Sequence, residues 1–91
     1  MDIARTVLLN VDDYAPGRYA RTQVLRQAGF DVREATRGEE ALQIAAVHKP
    51  AVVLLDVNLP DMSGFEVCRR IKTDPATSAI PVVRGSRACR V

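Results

Sequence analysis

Two apolar runs, each about one strand long and each ended by aspartate, constrain this chain more than any other feature. Thr6-Val7-Leu8-Leu9-Asn10-Val11 leads into Asp12-Asp13, and Ala51-Val52-Val53-Leu54-Leu55 leads into Asp56. Runs that are apolar on both faces suit strands buried in a parallel sheet. In an open α/β sheet the binding crevice lies beyond the carboxyl ends of the strands, where chain order reverses. If the two runs are neighbours, three carboxylates meet there with no Lys or Arg close by in the local sequence. Each pair then repels by roughly 1–4 kcal/mol at intermediate dielectric. Such a cluster persists when it binds a cation or shifts a pKa for chemistry. The pattern predicts a magnesium site with a phosphate-accepting aspartate. Alone, Asp12-Asp13 also reads as an acidic pair capping the helix that follows.

The rest of the chain alternates strand and helix. Pro16-Gly17 opens a helix running to Ala28, with Ala20, Val24, Leu25 and Ala28 on one face at helical spacing. Gly29 follows it as a left-handed cap. Phe30 to Ala35 alternates apolar and polar residues, the mark of a half-exposed edge strand. Thr36 with Glu39 predicts a capping box for a second helix ending near Val47, where His48 adds a cation at the C-terminus. Ser63 with Glu66 repeats that signature for a third helix, whose face is Gly64, Val67, Cys68 and Ile71. Ile80-Pro81-Val82-Val83 starts a fourth strand. The order β-α-β-α-β-α-β implies parallel strands with right-handed crossovers.

Ninety-one residues make one small domain, aliphatic inside because Trp is absent and Phe and Tyr number two each. The net charge of +2 belongs to the tail, since Arg84, Arg87 and Arg90 fall within the last eight residues, which hold no acid. Setting them aside leaves ten basic against eleven acidic residues. No basic face for nucleic acid is expected, and no apolar run approaches the roughly 18–20 residues that span a bilayer. The N-terminus lacks the pattern of a signal peptide, so a cytoplasmic location is expected. Cys68 and Cys89 share no metal-ligand spacing and are expected as free thiols, with Cys68 packed in the core.

From Thr6 to Val83 the chain resembles the receiver domain of bacterial response regulators. The resemblance rests on Asp12-Asp13, on Asp56-Val57-Asn58-Leu59-Pro60-Asp61-Met62-Ser63-Gly64, and on Ile80-Pro81-Val82-Val83. Asn10 to Asp13 and Gly17 to Ala20 further resemble receivers fused to sensor histidine kinases. The resemblance implies a flavodoxin-like α/β fold, a doubly wound parallel sheet of order 2-1-3-4, incomplete here. It implies that Asp56 accepts a phosphoryl group from a histidine kinase or phosphotransfer protein. Mg2+ (or Mn2+) would be bound by Asp13, Asp56 and the backbone carbonyl of Asn58, with Asp12 acting mainly through water. Ser86 stands where the family places the hydroxyl that senses the phosphoryl group. The family's phosphate-gripping lysine has no counterpart, since Lys49 and Lys72 are the only lysines and neither ends a strand.

After Val83 the apolar pattern stops, so the receiver unit is read as residues 1–83 and residues 84–91 as an atypical tail outside the native fold. An incomplete receiver leaves the fourth strand with a bare edge and one sheet face short of a covering helix. A homodimer or a domain-swapped dimer is expected. Two rivals stay open: a non-switching module that binds metal and partner only, and a magnesium-dependent phosphatase with an aspartyl nucleophile. The phosphatase needs an acid/base aspartate two residues after the nucleophile, where this chain has Asn58.

Overall fold

The computed structural model describes residues 6–56, 58–84 and 87–88. β1 (Val7–Val11) lies between β2 (Asp31–Ala35) and β3 (Val52–Leu55), and β4 (Val82–Arg84) and β5 (Arg87–Ala88) complete a sheet of order β2-β1-β3-β4-β5. The first four strands are parallel and follow the expected order. Parallel neighbours need long crossovers, supplied by α1 (Ala15–Gln27), α2 (Gly38–His48) and α3 (Gly64–Thr73). The edge of β4, expected bare, carries a two-residue return: β5 runs antiparallel, pairing Val83 with Ala88 and Arg84 with Arg87. Ser86 and Cys89 lie outside the described residues.

Strand alternation sorts the side chains into two layers. Leu9, Val11, Val53, Leu55 and Val82 pack with Ala41 and Ala45 of α2 and with Val67, Cys68 and Ile71 of α3. α3 buries the face read from the sequence, but only the Ser63 half of its capping box forms. Ser63 Oγ accepts the Glu66 N–H at 3.1 Å, and Gly64, Val67, Cys68 and Ile71 are its buried face. The Glu66 carboxylate turns forward to Arg69 and Arg70, at 2.6 and 3.0 Å. Arg69 first and Arg70 second hold its pKa down to about 2. Cys68 is 1% exposed, as a core residue should be, but it is disulfide-bonded rather than a free thiol.

α2 begins differently from expectation. The Thr36–Glu39 capping box does not form; Arg37 is the N-cap residue and makes no side-chain cap. The Thr36 N–H instead donates to Glu40 Oε1 at 2.8 Å. The orphan donors of α2 are met from the β3–α3 loop, where Asp61 accepts from Gly38 N at 2.7 Å and from Glu39 N at 2.9 Å. Those bonds, from Glu39 most and Gly38 next, hold the Asp61 carboxyl below the usual carboxylate range. The approach requires glycine: a Cβ at position 38 would meet Met62 Sδ and Val67 Cγ2, each at 2.8 Å. Gly29, at φ 103°, turns the chain out of α1 toward β2 as expected.

α1 is rotated from the face predicted for it. Val24 is 66% exposed, Ala20 and Ala28 are exposed, Leu25 is half-buried, and Thr22 is the residue buried against the sheet. The reason lies in β1, where fully buried Asn10 needs partners. Asn10 Nδ2 donates to Thr22 Oγ1 at 3.0 Å and to the Arg18 carbonyl at 3.1 Å. The Thr22 hydroxyl donates onward to Glu34 Oε2 of β2 at 2.9 Å. α1 thus docks through hydrogen bonds on β1 and β2, while Leu54 of β3 and Val83 of β4 stay half-buried beside it. Among the described residues no helix is long and apolar enough to cross a membrane.

The two faces should respond differently to truncation. Ile71→Ala, at a position 1% exposed, is expected to cost about 2–4 kcal/mol in urea unfolding. Val24→Ala should stay within about 0.5 kcal/mol of the parent. Equal losses at the two positions would contradict the observed orientation of α1.

Candidate metal centre

The site follows from the strand register. Val11 of β1 lies opposite Leu55 of β3, so the next residues, Asp12 and Asp56, leave the sheet side by side. Backbone bonds fix both departures: Asp12 N donates to the Ala35 carbonyl at 3.0 Å, and Asp56 N to the Val11 carbonyl at 2.9 Å. One carboxylate oxygen each from Asp12, Asp13 and Asp56 lies within 4.8 Å of the other two. The sequence-predicted triad is therefore one cluster at the carboxyl end of the sheet. Asp12 is 9% exposed, Asp13 is exposed and Asp56 half-buried, so the cluster opens to solvent on one side.

Asp12 is held both by its own loop and by α1. Its Oδ1 accepts the Tyr14 N–H at 2.9 Å, closing the turn into α1. Its carbonyl accepts Arg18 Nη1 at 2.9 Å. Arg18 Nε in turn lies 3.4 Å from Glu34 Oε2, joining the loop to the Asn10–Thr22–Glu34 bonds beneath it. Sequence reading missed this group of residues. Its one visible signal was Asn10, an amide inside an otherwise apolar strand.

The donor set suits a hard divalent cation. Mg2+ prefers octahedral oxygen ligands near 2.0–2.1 Å and usually keeps several waters beside one or two carboxylates. Three carboxylates in one cluster, with water free to enter from one side, meet that requirement. They also supply the charge that makes an ion favourable, since without one they repel by roughly 1–4 kcal/mol per pair. Asn58, two residues beyond Asp56, opens the β3–α3 loop and pairs antiparallel with Ser63. With Asp61 on α2 and Ser63 capping α3, that loop is tied down at both helices. Ser86, expected to sense a phosphoryl group, lies outside the described residues.

The cations sort by position. Lys49 Nζ donates to the Ala76 carbonyl and Lys72 Nζ to the Ser78 and Ile80 carbonyls, all before β4 begins and so at the end of the sheet away from the acids. The local sequence places no Lys or Arg beside the acids, but folding brings two arginines to them. Arg18 reaches the Asp12 backbone, and Arg21 lines a cleft with Leu54, Leu55, Asp56 and Val83.

Comparison with known proteins agrees with this geometry. Residues 8–88 match the response regulator receiver domain family. Protein PilH of Pseudomonas aeruginosa is 38% identical over 76 residues, which cover 84% of this chain and 63% of PilH. Response regulator PleD of Caulobacter vibrioides is 42% identical over 76 residues, 84% of this chain and 17% of PleD. The solved N-terminal domain of a response regulator receiver protein from Methanoculleus marisnigri aligns with a TM-score of 0.82 at 38% identity. That alignment covers 86% of this chain and 63% of the solved one. The chain thus spans less than two thirds of the curated relatives it matches.

Proposed function

The chain belongs to the response regulator receiver domain family, and from that premise we propose that it is a phosphoacceptor module of two-component signalling. The phosphoryl donor is a histidine kinase or phosphotransfer protein, and the acceptor is Asp56. The observation that carries this reading is the meeting of Asp12, Asp13 and Asp56 within 4.8 Å at the carboxyl ends of β1 and β3.

In the proposed reaction an Asp56 oxygen attacks phosphorus in line while the bond from phosphorus to the donor nitrogen breaks and its electron pair leaves with the imidazole. Mg2+ (or Mn2+), when bound, neutralises charge gathering on the transferring oxygens. Asp13, Asp56 and the Asn58 carbonyl are the proposed ligands, and Asp12 acts through water. Asp12 is positioned for this by the Tyr14 N–H and by Arg18 on its carbonyl. Ser86 is the proposed phosphoryl-sensing hydroxyl. The rival that binds metal and partner without accepting phosphate is not favoured.

Beyond chemistry, residues 1–83 are proposed as the receiver unit and residues 84–91 as an atypical tail, although Arg84 ends β4 and β5 pairs with that strand. The tail's three arginines and broken apolar pattern support that division. Half-buried Leu54 and Val83, on the sheet face that α1 leaves open, support pairing of two copies. A cytoplasmic location and the absence of nucleic-acid contacts by this domain are part of the same proposal.

With acetyl phosphate and Mg2+, the protein should gain one phosphoryl group by intact mass, and Asp56→Asn should gain none. Retained labelling of an aspartate in Asp56→Asn would refute the assignment. Light scattering at high concentration should report a dimer; a monodisperse monomer would remove the pairing proposal.

A further inference from the structure

Arg21 of α1 and Asp56 line the same cleft, together with Leu54, Leu55 and Val83. We propose that Arg21 contacts the phosphoryl group as it transfers to Asp56, a role that goes beyond the family assignment and rests on Asp56 being the acceptor. Arg21 projects from α1 across the sheet to β1, where its Nη1 donates to Asn10 Oδ1 at 3.3 Å. The Asn10 amide nitrogen is committed to the Arg18 carbonyl and to Thr22 Oγ1, which fixes its oxygen toward Arg21. Asn10 is opposite Leu54 in register, and Asp56 lies two residues further along the same face, a rise of about 6–7 Å.

The guanidinium is suited to the task. It carries five donors in a plane that matches phosphate geometry, and one contact with Asn10 leaves the others available. Among the described residues, several other cations are engaged elsewhere. Arg18 holds the Asp12 carbonyl and Glu34, and both lysines bond carbonyls at the far end of the sheet. The Arg84 guanidinium lies 5.6 Å from the centroid of the Phe65 ring. Arg21 is exposed, and its bond to Asn10 is the longest of the hydrogen bonds around that amide. It is free to swing toward an incoming anion.

Acetyl phosphate gives the simplest balanced step. An Asp56 oxygen bonds to phosphorus, the bond from phosphorus to the acyl oxygen breaks, and acetate leaves with the electron pair. Arg21 then pairs with the oxygens on which charge gathers. A fixed positive charge beside the acids has opposite effects on the two ligands: it weakens Mg2+ binding and favours the phosphoryl group.

That opposition makes the test decisive. Arg21→Gln and Arg21→Lys are compared with the parent by Mg2+ titration calorimetry and by the rate of acetyl phosphate uptake at saturating Mg2+. Arg21→Gln should bind Mg2+ about two- to fivefold more tightly and take up phosphate about tenfold or more slowly. Arg21→Lys should recover part of the rate. Parallel weakening of both properties would mark a structural role and overturn the proposal, as would parental values for both. If the parent takes up no phosphate, the Asp56 reading fails by itself. The Mg2+ titration then decides alone, and an unchanged affinity in Arg21→Gln overturns the placement of its charge.

Discussion

The in-register parallel pairing of β1 with β3 is the constraint on which the rest of this molecule depends. It sets Val11 against Leu55, and the Asp56 N–H closes the pair on the Val11 carbonyl. A slip of one residue would turn every side chain of β3 to the opposite face. Val53 and Leu55 would leave the core, and Asp56 would no longer share a side of the sheet with Asp12. The contacts that bury Leu9, Val11, Val53 and Leu55 therefore also hold mutually repelling carboxylates together. Packing enforces an arrangement that electrostatics alone opposes, and a divalent ion reverses the sign of that opposition.

Around this centre the two helical layers are attached by different physics. On one side α2 and α3 pack on an aliphatic core, and the loop after β3 is fastened to both through Asp61 and Ser63. Gly38 admits Met62 and Val67 close against the start of α2, where a Cβ would collide with both. On the other side α1 is held by a chain of hydrogen bonds from Asn10 through Thr22 to Glu34 and Arg18. That chain ends on the Asp12 carbonyl, so the polar layer also sets the backbone of the acidic loop. Both layers converge on the carboxyl end of the sheet, where chemistry requires fixed groups.

Much of this was legible in the sequence because its signals are local. The two apolar runs specify buried strands, and their terminal acids specify where the site must be. Ser63 lies three residues from the N–H it caps, so its role can be read along the chain. The cap of α2 was not legible, because Asp61 lies 22 and 23 residues from the donors it satisfies. The same separation in sequence hid the orientation of α1. Its apolar stripe at Ala20, Val24 and Ala28 suggested burial, but a buried amide on the facing strand drew Thr22 inward. Arg21 was illegible for the same reason, since only the folded chain brings it to the cleft that holds Asp56.

The measurement closest to the central claim is the location of a bound ion. Crystals grown with Mn2+ in place of Mg2+ should show an anomalous peak at the cluster. The ion should lie within coordination distance of Asp13 and Asp56 carboxylate oxygens and of the Asn58 carbonyl, with water between it and Asp12. An ordered cluster without a peak at millimolar Mn2+, or an ion held only elsewhere, would contradict the account.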